Sequence, residues 1–386
     1  MTGNGNHDVD VAVIGGGPAG ATVAAMLATR GHDVMMFDRD EFPRPKVCGC
    51  CLADRGVTVL RELGLQSLID RGLTLAEVEL GAGGRHLRLP FPGSIVVSRE
   101  DLDTTLVEHA RTAGVTVQTR TRAAVDSDRI VRTRGLDDGE ERAVRARFIV
   151  AADGLDGRAL EALPHFSWKV SGGSRFGAGM TIPASEVPSE APPPGRLDML
   201  AHRAGYLGVV RLPGGGLDLA AAFDNRAIRA LGGPAAAAAS ILQAQNRTSL
   251  AAVASRLKWR GTPRLTRRRR VADERIACVG DAAGYVEPFT GEGMSWALGT
   301  ATVLAETIDR AIAKNGSLVD WQGRHAKIVG RDRLRCRLVA QAVRTPGLAH
   351  AAIRVASVAP FIRRRLADAA SGGRTSPAGD LIGGRS

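Results

Sequence analysis

Apolar runs separated by polar breaks divide the chain into strands and helices. Val9 to Ile14 is apolar and rich in β-branched residues, the pattern of a buried parallel strand. Ala21 to Thr29 is small and apolar and predicts a helix, and Asp33 to Phe37 predicts the second strand. Ala53 to Ile69 has helical periodicity through Val57, Leu60, Leu63 and Leu68. Leu73 to Leu80 and Arg85 to Leu89 are strand-like runs joined by Gly81 to Gly84, which predicts a hairpin. Ser98 is an N-cap candidate, with Asp101 three residues on, for a helix running to about Ala113. Val115 to Thr119 predicts another strand. Ala123 to Ile130 and Arg142 to Val150 are expected to pair through the turn Asp137-Asp138-Gly139. The second of these continues into Asp153-Gly154, a strand end of the kind that points at a ligand crevice.

From about Leu163 to Arg260 the pattern changes to short strands with frequent Gly and Pro, interrupted by the Pro-rich loop Val187 to Gly195. Tyr206 to Leu212 and Leu217 to Phe223 flank Pro213 to Gly216 as a hairpin, and Pro234 to Gln245 is Ala-rich and helical. This block is expected to be a largely antiparallel substrate domain inserted into a nucleotide-binding one. Arg275 to Val279 predicts a strand ending in Gly280-Asp281, followed by a loop and a helix from Met294 to about Ala313. From Leu318 the chain reads as helical. Its stretch Leu348 to Ala370 is basic and amphipathic and is interrupted by Pro360. Such a segment can lie on a membrane surface, although a helix closing the core is the commoner case. The tail from Ser371 is Gly/Ser-rich and expected to be disordered. The expected division is nucleotide binding at 1–72, 98–162 and 263–315, a substrate-domain hairpin at 73–97, the substrate domain at 163–262, a helical region at 316–370 and a tail at 371–386.

Composition adds limits. The formal net charge of +12 reads first as a solvated, Arg-rich surface, with anionic cofactors, nucleic acid or a membrane surface as the alternatives. Aromatic residues make up only 4%, too few for base-stacking platforms, so no nucleic-acid partner is expected. The run Arg267 to Arg270 reads as a solvated loop. No apolar run approaches the ~20 residues of a spanning helix. Met1 to Asp8 is polar without an apolar signal core, so a cytoplasmic location is expected, with peripheral membrane contact through the C-terminal segment as the less favoured alternative. Five cysteines, three of them clustered as Cys48, Cys50 and Cys51, do not look like a disulfide framework. Cys48 and Cys51 have C-x-x-C spacing, but without a second pair or a His cluster zinc is not expected. Inert buried thiols, a dithiol couple and a thiol facing a cofactor remain open.

The candidate chemistry begins at the end of the first strand. Gly15, Gly17 and Gly20 form G-x-G-x-x-G between strand and helix, with Pro18 and Ala19 inside the turn. Gly15 allows the tight turn, Gly17 lets backbone N–H groups approach a pyrophosphate, and Gly20 lets helix and strand pack closely. The helix N-terminus favours phosphate, and Asp38 at the end of the second strand can accept a ribose hydroxyl.

Four separated stretches, the glycine turn with Asp38-Arg39, Arg99 to Asp103, Asp153-Gly154 and Gly280-Asp281, together resemble the FAD-dependent oxidoreductases of the aromatic-hydroxylase and geranylgeranyl-reductase group. The resemblance implies an α/β fold. A Rossmann-like FAD-binding domain with a parallel sheet would carry an inserted, mostly antiparallel substrate sheet and a helical C-terminus. It also implies that Asp38 holds the adenosine ribose, Arg99 lies along the FAD and Asp281 binds its ribityl or pyrophosphate portion. Gly284 stands where many hydroxylases carry His, and Pro288-Phe289-Thr290-Gly291-Glu292-Gly293 is similar to the reductase version of the loop. Backbone N–H groups at Gly291 and Gly293 would stabilise negative charge on the reduced ring. Lys46-Val47-Cys48-Gly49 is similar to a Cys-Gly motif that such reductases carry beside the flavin, which makes Cys48 the catalytic candidate.

The chain also departs from its relatives. Tyr206-Leu207-Gly208 stands where reductases carry an aromatic-rich motif, the halogenase Trp-x-Trp-x-x-Ile-Pro motif is missing, and Asp153-Gly154 lacks the usual following serine, leaving Arg158 to do that motif's work. His165 and His202 read as structural, and no general base stands out. With a single dinucleotide fingerprint, NAD(P)H would dock transiently or another carrier would reduce the flavin. Three readings stay open, the first two with an apolar isoprenoid- or polyketide-like substrate. One is hydride transfer to a C=C bond. Another is hydroxylation of a ring through a peroxyflavin, which would expose three nearby thiols to oxidation. The third is FAD binding without turnover.

Overall fold

The computed structural model describes residues 7–287 and 291–344. Pro288-Phe289-Thr290 and the amphipathic stretch Leu348 to Ala370 lie outside the described residues, as does the tail.

Two main sheets carry the chain. The first has five parallel strands in the order Ile276–Cys278, Ala146–Ala151, Val9–Ile14, Val34–Phe37 and Thr116–Gln118. Its central strand is the apolar run Val9 to Ile14, buried on both faces as that composition requires. The chain leaves this strand on one side through the helix Pro18–Thr29 and returns on the other at Ala146–Ala151, which opens a crevice at the strand ends between them. The helix starts at Pro18, three residues before the apolar run. Proline is well suited there, because the first turn has no use for its missing N–H. Helices Pro18–Thr29, Arg99–Thr112 and Gly293–Ala313 cover the sheet and share its core.

The second sheet has eight strands and is mostly antiparallel, with one parallel pair between Arg196–His202 and Leu73–Ala82. The hairpin Leu73–Ala82 and Arg85–Val96 belongs to it, as does the hairpin Gly205–Arg211 and Leu217–Phe223. One face packs under helices Pro234–Gln243 and Thr248–Arg256; the other faces the segment Cys48 to Cys51.

Several expectations are corrected. Ala53 to Ile69 is two helices, Asp54–Glu62 and Gln66–Arg71, because Gly64 takes φ +74° between them. Ala123 to Ile130 does not pair with Arg142 to Val150. Instead Thr121–Val125, Val131–Gly135 and Glu141–Val144 form a separate three-stranded meander, while Ala146–Ala151 joins the parallel sheet. The arginine run is not a solvated loop. Arg269 is buried, its guanidinium lies 4.3 Å from the Trp168 ring centroid, and its Nε donates to the Ala282 carbonyl at 2.7 Å. Arg158 is highly exposed and pairs with Glu161, so it does not act at the crevice.

The closest constraint is at Gly20. A Cβ there would stand 1.9 Å from the Gly15 carbonyl oxygen, backbone that no side-chain rotation can move. Gly20→Ala should therefore cost about 1–3 kcal/mol or more, read as a lower urea midpoint at unchanged slope. An unchanged midpoint would mean that helix and strand are not held in this contact.

Candidate functional site

Three parallel strands end at one place, carrying Gly15, Asp153 and Gly280-Asp281. Gly15 takes φ +109°, and a Cβ on it would lie 2.4 Å from the Ala152 carbonyl oxygen, so the first two strand ends touch. Gly280 takes φ +63° and packs against Ala19 in the first turn of the helix. Gly17 is that helix's N-cap and offers no side chain, which leaves the first N–H groups open to a ligand.

Two guanidiniums bound the space beside the turn. A Cβ on Gly17 would meet only Arg44 and Arg99 nitrogens, at 3.9 and 4.0 Å. Arg44 was not anticipated. It is buried, lies 3.4 Å from the Asp38 carboxyl and 3.6 Å from that of Asp103, and has an Nε without a partner. Arg99 makes a two-point contact with the fully buried Asp103 at 2.8 and 2.9 Å. Ser98 caps this helix as expected, accepting from the Asp101 N–H at 3.0 Å.

Asp38 is buried and accepts from the Gly16 N–H at 2.7 Å and the Asp40 N–H at 2.9 Å, so it also orders the glycine turn. Arg39 lies exposed at the rim, 3.9 Å from Asp40. Asp153 turns its carboxyl back on its own loop, accepting from the Ala159 N–H at 2.8 Å, and burial raises its pKa. Gly154 takes φ +80° and faces open space. Asp281 is half-buried; burial raises its pKa, opposed by Arg99, Lys46 and Arg333.

Gly291 takes φ +79°, and a Cβ on it would lie 3.3 Å from Cys51 Cβ, while Gly293 opens the helix Gly293–Ala313 toward the same region. Glu292, between them, faces the other way. Its carboxyl accepts from Cys336 Sγ at 3.5 Å, so only its backbone is left for the crevice. Burial pushes Glu292 up to about 7, helped by Asp332 and opposed by Cys336, Arg335 and Arg55.

Among the thiols, Cys48 is half-buried and Cys50 and Cys51 are buried. The thiols that act on one another most are Cys48 and Cys50, not the C-x-x-C pair: Cys50 pulls the Cys48 thiol down to about 6, with burial opposing and Arg99 helping. Beyond them the sheet presents an apolar wall that includes Leu75, Val78, Met199, Val210 and Ala222. Tyr206 stands in that wall, with the Arg175 guanidinium 5.4 Å from its ring centroid. His165 contacts Asp273 at 3.3 Å and His202 Nδ1 accepts from the Ala204 N–H at 3.3 Å, both local structural roles. An open cleft of about 670 Å³ lined by Glu79, Arg88, Arg196 and Arg247 holds none of the predicted site residues.

The glycine cradle, the helix N-terminus, the two guanidiniums and the unpartnered Arg44 Nε fit an extended anionic dinucleotide such as FAD.

Comparison with known proteins agrees. A family described as "FAD binding domain" matches residues 8–320. A menaquinone reductase of Mycolicibacterium smegmatis is 34% identical over 158 residues, 39% of this chain and 38% of that protein. The match therefore spans well under half the length of that relative. Digeranylgeranylglycerophospholipid reductase 1 of Methanopyrus kandleri is 27% identical over 82% of this chain and 85% of its own. The crystal structure of a flavoprotein/dehydrogenase from Cytophaga hutchinsonii superposes with a TM-score of 0.79 at 17% identity, covering 94% of this chain and 92% of that one, which shows the shared fold.

Two measurements test the site. Arg44→Gln should weaken FAD binding about tenfold or more by removing a charge-assisted contact, read by fluorescence titration of the apoprotein. Equal affinity would remove Arg44 from the site. Glu292 holds its proton more tightly folded than unfolded, where a glutamate titrates near ~4.3. The stability this contributes is full at low pH and is lost as pH rises through about 7. Glu292→Gln should thus gain on the order of 1–3 kcal/mol at pH 8 and nothing near pH 4; equal urea midpoints at both pH values would contradict this.

Proposed function

The chain belongs to the FAD-binding domain family, an oxidoreductase family, and from that premise we propose that it is a reductase adding hydrogen across a C=C bond of an apolar, isoprenoid-like molecule. The supporting observation is the surroundings of Cys48. Its sulfur faces the Arg99 guanidinium on one side and, with Cys50 and Cys51, an apolar sheet wall on the other. The relatives' names point the same way, since two of them are called reductases and their named substrates carry isoprenoid chains.

FAD supplies a hydride when bound and reduced. The chain's own groups then have separable tasks. The N–H groups after Gly17 and the Arg44 and Arg99 guanidiniums bind and neutralise the pyrophosphate. Asp38 keeps the turn in register through Gly16 and offers its remaining accepting capacity to the ribose. The N-terminus of the helix Gly293–Ala313, behind Gly291, favours negative charge arriving at the ring. The apolar wall orients a hydrocarbon chain and excludes water. Oxygen chemistry beside three thiols would oxidise them, which disfavours hydroxylation. An isoprenoid substrate also agrees with a working position at a membrane surface, and among the described residues no helix is long and apolar enough to cross one.

The test is product mass. The protein, loaded with FAD and reduced anaerobically, is given geranylgeranyl alcohol and, separately, an isoprenoid quinone in micelles. The expected product gains two hydrogens per turnover and keeps them after reoxidation in air, which removes the two hydrogens of a quinol but not those of a saturated C=C bond. Gain of an oxygen atom only after air is admitted would replace the proposal with hydroxylation, and no product with either probe would leave a flavin-binding protein without this chemistry.

A further inference from the structure

The helix Trp321–Val343 has two unlike faces. Trp321, His325, Val329, Cys336 and Ala340 recur at helical spacing and are buried. Trp321 Nε1 donates to the Cys278 carbonyl at 2.9 Å, Arg333 Nη2 to the Gly284 carbonyl at 2.6 Å, and Cys336 Sγ to the Glu292 carboxyl at 3.5 Å. Val339 packs against the apolar wall of the substrate sheet. The inner face thus rests on the third strand end, on Glu292 between the two loop glycines, and on that wall.

The outer face is left to solvent. Leu334 is 57% exposed and Leu338 63%, the two most exposed large apolar side chains among the described residues. They stand one turn apart, nearly half a turn around the helix from Cys336 and Ala340. One exposed leucine needs no explanation, but two on one stripe make a patch with a direction. The exposed charged side chains of this helix are all cations: Arg324, Lys327, Arg331, Arg335 and Arg337. Lys327 and Arg331 share the leucine stripe, and the other three flank it. The one acid of the helix, Asp332, is half-buried and lies 3.9 Å from both Arg55 and Arg335.

This combination selects its occupant. A second copy of the chain, set face to face, would bring five cations against five. A nucleic acid would answer the cations and leave the leucines against phosphate. A bilayer surface with anionic lipid answers both. The cations meet headgroup phosphates, and the leucines reach the acyl boundary beneath them. The stems of Lys and Arg lie along apolar neighbours while their charged ends stay at the headgroup level. The net charge of +12 draws the molecule toward such a surface before contact.

We propose that the outer face of the helix Trp321–Val343, centred on Leu334 and Leu338, docks this protein on an anionic membrane. The helix lies in the plane of the interface. Its inner face is already engaged by the protein, and among the described residues no helix is long and apolar enough to cross. The bilayer then stands one helix, about 10 Å across with its side chains, from Glu292 and from the wall that Val339 touches. Docking goes beyond the reductase reading and stands on exposure and charge alone.

The test uses the full chain with FAD bound and vesicles that contain no substrate. Wild type should sediment with vesicles of equal parts phosphatidylglycerol and phosphatidylcholine, release them at high salt, and bind pure phosphatidylcholine about tenfold less or weaker. Leu334→Gln/Leu338→Gln should weaken binding to the anionic vesicles about tenfold or more by removing the apolar contact. Arg331→Gln/Arg337→Gln should do the same, since each cation near an anionic surface is worth about fivefold. Both variants should keep FAD and melt as wild type, because the altered side chains are exposed. No binding by wild type, equal binding to both kinds of vesicle, or undiminished anionic binding in either variant would overturn the proposal. So would a loss confined to Arg363→Gln/Arg364→Gln/Arg365→Gln, which would move the contact to the C-terminal stretch. A mass by light scattering that halves in the leucine variant, with vesicle binding intact, would put a second copy on this face and overturn it as well. Failure of the reductase reading would change none of these results.

Discussion

The structure depends on how closely the first helix can lie on the end of the first strand. With no side chain at Gly20, the helix Pro18–Thr29 rests directly against the Gly15 carbonyl. This points its N-terminus at the strand ends rather than past them. Gly280 can then settle on Ala19, bringing the third strand end and Asp281 to the same crevice. The long helix Gly293–Ala313 packs on the first helix and aims its own N-terminus back toward it. Two helix N-termini and two guanidiniums thus converge on one small volume. That much positive potential in a partly dry place favours an extended anion with charge at one end and a polarisable ring at the other.

Features with fixed spacing were legible in the sequence. The strand Val9–Ile14 is as its composition demands, Ser98 caps its helix, and the glycine turn, Asp38 and Gly280-Asp281 come together at the strand ends. What escaped was set by shape. Arg44 lies between two prolines with no motif around it, and its meaning comes from Asp38 and Asp103, which only the folded chain brings near. The meander was hidden because its middle strand Val131–Gly135 alternates buried positions with exposed arginines and its last strand Glu141–Val144 is mostly exposed, which reads as loop. The break at Gly64 was visible as a glycine after Leu63, but continuous apolar periodicity on both sides masked it. Arg269 looked solvated within a run of four, although the run opens as the short strand Arg267–Arg268 and the partner of Arg269, Trp168, lies far off in sequence.

The segment from Arg44 to Leu52 then explains why binding and chemistry belong to one machine. It begins at the glycine turn, where Arg44 touches Asp38 and Asp103. It passes Arg99 at Cys48 and the substrate sheet at Cys50. It ends as strand Cys51–Leu52, paired with Val96 and Ile95 at the edge of that sheet. So short a stretch, anchored at both ends, cannot shift at Arg44 without strain at Cys50, which already holds a left-handed backbone. Arg99 tightens the link, because one guanidinium answers both Asp103 and the Cys48 sulfur. The nucleotide-binding layer and the substrate sheet are thus tied through one loop, so that a displacement at either end of it is felt at the thiols between them.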